Sequence, residues 1–180
     1  LTHFELLLVA DCTALLIFLI IITFQNKWKL MATLSLKQWG YFALLGLLNP
    51  VAYYLVLFKS YSLLPAQIAQ PINYMWPIVL TVLLALFANC RIPNLKYVGM
   101  VISLAGVVII SVGTSRLSSM QVPVNGLLLA ALSAVLWATY WMITNKQKNK
   151  IDATLSLFLC FMFGTVYLVI DALFSGVHGL

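Results

Sequence analysis

The chain contains six runs of mostly apolar residues, each close to the roughly 20 residues that a bilayer-spanning helix needs. They extend over Phe4 to Phe24, Trp39 to Tyr61, Ala66 to Asn89, Asn94 to Val112, Val124 to Thr144 and Ala153 to Phe174. In hydrocarbon a helix can satisfy its own backbone, and few other structures can. The 180 residues are 63% hydrophobic and only 8% charged, which no soluble domain of this size could bury. The predicted fold class is therefore all-α: a polytopic transmembrane bundle of six spanning helices, with the lipid bilayer as its principal partner.

The charges lie between the runs. Lys27, Lys29 and Lys37 follow the first run, Arg91 and Lys96 follow the third, and Lys146, Lys148 and Lys150 follow the fifth. These loops fall on one side of the membrane and hold eight of the ten basic residues, leaving only Lys59 and Arg116 for the other side. By the positive-inside rule the Lys-rich side is cytoplasmic, which predicts a multi-pass protein of the cell (inner) membrane. The net charge of +6 is then a property of cytoplasmic loops and implies no nucleic-acid partner.

Several classes of chemistry are disfavoured. Cys12, Cys90 and Cys160 are far apart and suggest neither a metal site nor a disulfide framework. No Gly-x-x-x-x-Gly-Lys loop is present to cradle ATP. An intramembrane enzyme would need a Ser/His dyad, paired aspartates or a metal cluster. Here no histidine lies in a run, and the only acids there are Asp11 and Asp171. We expect no enzyme activity, no cofactor and no metal.

One run is not plain hydrocarbon. Gln67-Ile68-Ala69-Gln70-Pro71-Ile72-Asn73-Tyr74-Met75-Trp76-Pro77 concentrates polar, aromatic and proline residues in the third run. Gln67, Gln70, Asn73, Tyr74, Pro77 and Thr81 share an arc of roughly 120° on a helical wheel. Pro71 and Pro77 would free the carbonyls of Gln67 and Asn73. Such a strip is costly against lipid, so it is expected to line a solute pathway. In the second run, Asn49-Pro50 predicts a kink, and Phe42, Gly46, Asn49, Tyr53, Val56 and Ser60 share one face. In the fifth, Gly126, Ala130, Ser133, Trp137, Tyr140, Trp141 and Thr144 share another, with Trp141 and Thr144 placed at the membrane interface. Gly99, Ser103, Gly106 and Gly113 in the fourth run suggest close helix packing.

These positions define the expected site. Tyr53, Asn73, Tyr74, Trp76, Trp137 and Tyr140 are the substrate-binding candidates, because aromatic rings give apolar walls and polar edges to an amphiphilic solute. The direction of Trp76 is left open by the proline that follows it. Asn49, Pro50, Gln70, Pro71, Pro77 and Asp11 are the pathway or hinge candidates. Asp11, an acid within a span, is either a site for a proton or a substrate amine, or, if the helix starts later, an interfacial residue that is capped or paired with Lys59 or Arg116.

These motifs carry a resemblance. Tyr61-Ser62-Leu63-Leu64-Pro65-Ala66, then Trp76-Pro77, the basic stretch Arg91 to Lys96 and the Gly-rich Gly99 to Val112 together resemble an EamA domain of the drug/metabolite transporter superfamily. Gly126 to Lys146, with Trp137-Ala138, resembles the opening helix of that family's second repeat. Asn73-Tyr74-Met75-Trp76-Pro77 is similar to a motif of its bacterial aromatic amino acid exporter branch. The resemblance implies a ten-helix transporter of two inverted five-helix repeats. Residues 1–113 would hold helices two to five, 114–123 an outer loop and 124–180 helices six and seven, the missing helices completing the fold. It implies an alternating-access exporter of small amphiphilic metabolites, aromatic or other neutral amino acids above all. The alternatives are another metabolite class, such as nucleosides or phosphorylated sugars, and a non-transporting scaffold subunit. Lys59 departs from the family pattern, which has an aliphatic or aromatic residue there.

Overall fold

The computed structural model describes residues 3–88, 93–118, 122–145 and 151–175. Cys90, Arg91, Lys146, Lys148, Lys150 and His178, and residues 119–121 of the expected outer loop, lie outside them. Among the described residues every regular element is helical: α1 (His3–Phe24), α2 (Trp28–Ala32), α3 (Leu36–Gly46), a π-helical segment (Leu47–Ala52), α4 (Tyr53–Leu63), α5 (Ala66–Asn73), α6 (Trp76–Ala88), α7 (Asn94–Ser118), α8 (Val124–Asn145) and α9 (Ala153–Ser175). They form two compact units, one of Leu1–Leu55 and Thr144–Leu180, the other of Val56–Ile143.

Five stretches are long and apolar enough to cross a membrane: Phe4–Phe24, Leu36–Leu63, Ala66–Phe87, Val124–Asn145 and Ala153–Phe174. These coincide with five of the six expected spans and make this a multi-pass membrane protein. The other expected span, Asn94 to Val112, corresponds to a shorter apolar helix, Asn94–Ile110. Its helix does not end at Val112 but continues to Ser118, into the segment expected to be loop.

In the first unit α9 packs along α1, α3 and the π-helical segment. The buried face of α1 carries Phe4, Leu7, Asp11 and Ile22, while Leu16, Ile17, Leu19 and Ile20 face outward. That outward face is as apolar as the inward one, as expected where lipid is the solvent. Aromatic rings mesh along the seam: Phe18 stacks on Phe161 with centroids 5.5 Å apart, and Trp39 meets Phe163 edge-on at 6.1 Å. Two glycines set how closely the backbones approach. A Cβ on Gly46 would lie 2.6 Å from the Cys160 carbonyl oxygen, and one on Gly164 would lie 2.7 Å from Cγ of Pro50.

The ends of α1 and α9 are joined through local turn chemistry. Asn26 closes α1 with φ 52°, a left-handed conformation that asparagine tolerates. The Lys27 amide then reaches back to the Ile22 carbonyl at 3.1 Å. This turn directs the Lys27 ammonium onto Asp152 Oδ1 at 2.7 Å. Asp152 also caps α9, accepting from the Leu155 amide at 3.0 Å. The hydrogen bond from Lys27, which outweighs a smaller opposing effect of desolvation, holds the Asp152 carboxyl below the usual carboxylate range. The folded protein therefore binds fewer protons at this group than the unfolded chain. Its contribution is present above about pH 4, the ordinary carboxylate value, and is lost as the pH falls below that. We expect Lys27→Gln to lower stability at neutral pH, modestly because the pair is partly exposed, and to leave it unchanged at acid pH, so that the acid limb of a detergent stability profile flattens. An acid limb identical to wild type would remove this account.

The expected kink is present. Asn49 leaves helical geometry at φ −146° and ψ 118°, and the Asn49–Pro50 peptide is cis. Of the residues that share one face of this run, Phe42, Gly46, Asn49 and Tyr53 in this unit are buried.

In the second unit Leu64, Ile68, Ala69 and Ala130 form a small core. Gly126 packs close under it, since a Cβ there would meet Leu64 Cγ at 2.6 Å. Ser60 is buried in this unit and donates to the Gly126 carbonyl at 3.1 Å. The glycines of α7 do not behave as expected. A Cβ at Gly99, Gly106 or Gly113 would meet no described atom within 4 Å, so this face packs closely on no helix among the described residues.

Candidate functional site

The polar third run does not form one continuous helix. It is divided at Tyr74 and Met75 into α5 and α6. Pro77 was expected to break a helix from within. It instead occupies the first turn of α6, where a missing amide hydrogen costs little. The break also splits the expected polar arc. Asn73 turns inward, with 4% of its surface exposed, and its Nδ2 donates to Ser133 Oγ at 2.8 Å. Ser133 in turn donates to the Ala130 carbonyl at 2.7 Å. Gln67, Gln70, Tyr74 and Pro77 are exposed, and Gln70 Nε2 donates to the Tyr74 hydroxyl at 3.1 Å. Asn73 and Tyr74, adjacent in the motif, thus serve different surfaces.

Trp76 follows the break, and its direction is now defined. Its indole lies nearly parallel to that of Trp141, with centroids 6.3 Å apart, and edge-on to Trp137 at 6.4 Å. Trp137 stacks on Tyr140 at 5.9 Å, and Trp141 meets both Trp137 and Tyr140 edge-on. Four large rings from α6 and α8 form one group within the second unit. The helical repeat of α8 brings Trp137, Tyr140 and Trp141 together, being three and four residues apart. Trp141, expected at the interface, is a full member of the group. Its spacing from Trp137 is the signal that identifies it. Asn73 and Ser133 provide a buried amide–hydroxyl pair on the same two stretches of chain. Such a surface suits stacking of a planar or apolar group.

Tyr53 belongs to the first unit, where its ring packs against Tyr54 with centroids 4.8 Å apart.

The first unit gathers a different set of the expected residues. Asp11 is buried, with 1% of its surface exposed, and its partner within this unit is Thr165. Thr165 Oγ1 lies 2.6 Å from Asp11 Oδ2. Asp11 Oδ1 and Asn49 Oδ1 are buried without a hydrogen-bond partner among the described residues. Gly164 joins the cluster, because a Cβ there would meet the Pro50 ring and lie 3.4 Å from Asp11 Oδ1. Asp11, Asn49 and Pro50 were expected along a pathway. Thr165 was not singled out for this role, since a threonine in a long apolar run carries no spacing signal of its own. The remaining hinge candidates, Gln70, Pro71 and Pro77, lie in the second unit. No group of three or more His, Cys, Asp or Glu residues able to hold a metal occurs among the described residues.

The chain resembles known proteins over most of its length. It is 27% identical over 143 residues to the uncharacterized transporter YvbV of Bacillus subtilis (strain 168), a match covering 79% of this chain and 46% of that protein. The match thus covers less than half the length of the curated relative. No solved structure matches this chain. The model of the EamA-like transporter family matches residues 2–112, more than half of the chain. With its polar-interrupted spans and multi-pass helical fold, the chain belongs to the EamA-like transporter family.

Proposed function

We propose that the protein is a secondary transporter that exports small amphiphilic metabolites, aromatic or other neutral amino acids foremost, by alternating access. The observation that carries this reading is the group of Trp76, Trp137, Tyr140 and Trp141 beside the buried Asn73–Ser133 pair. Stacked rings favour a planar side chain by about 0.5–1.5 kcal/mol per aromatic pair. A nearby amide–hydroxyl pair gives a polar end of the solute something to exchange hydrogen bonds with. The relative from Bacillus subtilis is itself described as a transporter. The departures from regular helix at Asn49 and at Tyr74–Met75 would absorb the backbone changes of the cycle, as interrupted helices do in secondary transporters. The Lys-rich loops would face the cytoplasm.

The test is efflux from preloaded cells expressing the protein, with labelled tryptophan, uridine and a hexose phosphate as parallel cargoes. Faster loss of tryptophan than from empty cells is expected, with the other two unchanged. Equal rates for tryptophan with and without the protein would overturn the reading. Selective loss of uridine or of the phosphate would replace the substrate class.

A further inference from the structure

Asp11 has an uncommon setting. It is buried within a spanning helix, faces Gly164 and Thr165 of α9, and has no basic partner among the described residues. The charged and titratable groups of the surrounding elements are distributed as follows. On α1, His3 opens the helix and Glu5 follows it, nearly two turns before Asp11, and Cys12 is the next residue. On α9, Cys160 and Tyr167 flank Thr165, and Asp171 lies nearly two turns further on. On α3, Tyr41 is half-buried and Lys37 is in the exposed first turn. The π-helical segment carries none. Lys27 is bound to Asp152 at the opposite end of α1. Among the described side chains of this unit no cation is therefore placed to compensate a carboxylate at position 11, and an uncompensated buried charge is costly.

The hydrogen-bond geometry points the same way. Thr165 Oγ1 lies 2.6 Å from Asp11 Oδ2 and 2.9 Å from the Phe161 carbonyl oxygen. A threonine hydroxyl has one proton to donate, and both neighbours as drawn are acceptors. With one hydroxyl proton the two contacts share a three-centre bond, whereas two full hydrogen bonds form when the carboxyl group carries its own proton. Asp11 then donates to Thr165 Oγ1, and Thr165 donates to Phe161.

We propose that Asp11 is a proton-binding site, protonated in this conformation, and that the proton is the coupling ion of the transport cycle. The second clause rests on the transporter reading and the first does not. Release transfers the Asp11 proton to water and leaves a carboxylate. The Thr165 hydroxyl then rotates from Phe161 to the carboxylate, so the Phe161 carbonyl loses that donor. This change occurs one residue from Gly164, against which the Pro50 ring of the kinked segment is packed. Proton binding is thereby linked to the backbone of α9 where α9 meets the kink.

The protein has only four acidic residues, Glu5, Asp11, Asp152 and Asp171, which makes a vibrational test clean. In lipid at neutral pH the infrared spectrum should show the C=O stretch of a protonated carboxyl group. It should disappear in Asp11→Asn, persist in Asp171→Asn, and shift in frequency in Thr165→Val, which keeps the acid but removes its partner. Absence of the band in wild type, or its survival in Asp11→Asn, would overturn the site. If Asp11→Asn does not fold, an unshifted band in Thr165→Val does the same. In substrate-loaded vesicles an inward proton gradient should accelerate efflux by wild type and not by Asp11→Asn. Efflux indifferent to the gradient would overturn the coupling while the transporter reading stands. A band without any efflux would overturn the transporter reading while the proton site stands.

Discussion

Gly46→Ala should destabilise the protein by about 1–3 kcal/mol, the cost of overpacking a well-fitted contact. The added methyl group would sit 2.6 Å from the Cys160 carbonyl oxygen, 2.8 Å from Phe163 Cβ and 3.1 Å from the Gly164 amide nitrogen. None of these atoms ends a flexible side chain. Two belong to the α9 backbone and one is fixed to it, so relief requires α3 and α9 to separate. Separation would in turn strain the Trp39–Phe163 contact and the hydrogen bond from the Tyr167 hydroxyl to the Ala43 carbonyl, 3.2 Å long. Gly40 on the same helix is the control, since a Cβ there would meet nothing within 4 Å. Gly40→Ala should instead stabilise by roughly 0.5–1 kcal/mol through helix propensity. Denaturant titration in detergent, followed by circular dichroism, reads both. Coincident transitions for Gly46→Ala and wild type would show that the glycine contact does not limit the packing.

Trp76→Ala should reduce tryptophan efflux by roughly 10- to 100-fold per molecule of folded protein. The indole is in contact with two others, Trp137 and Trp141, and loss of stacking worth about 1–3 kcal/mol corresponds to that range. Trp76→Phe keeps a ring and should retain more of the flux. Trp39→Ala separates function from folding, because Trp39 pairs with Phe163 in the other unit. That variant should lose stability while its efflux per folded molecule stays near wild type. Equal flux from Trp76→Ala and wild type would mean that the four rings serve only to hold α6 against α8.

How much could be read from residues alone differs from place to place. The buried face of α3 and the following segment was legible, because Phe42, Gly46, Asn49 and Tyr53 stand out against aliphatic neighbours. On α1 no such contrast exists. Leu7 is buried and Leu16 exposed, yet both are leucine, since lipid and protein interior are equally apolar solvents. The polar arc of the third run was drawn on one regular helix from Gln67 to Thr81, and the chain is divided there at Tyr74 and Met75.

The sequence by itself determined that the protein is helical and multi-pass, that its chain departs from regular helix near Pro50, and that it belongs among EamA-like transporters. Those features follow from hydropathy, from proline's missing amide hydrogen and from motif order, all of which are local properties of the chain. Only the tertiary structure decided that Asp11 meets Thr165, that Asn73 meets Ser133 and that Trp141 joins Trp76 and Trp137. These pairings depend on how separate helices are rotated against one another. The rotation is set by glycine clearances and ring shapes across the contact, and neither leaves a periodic trace in an apolar run.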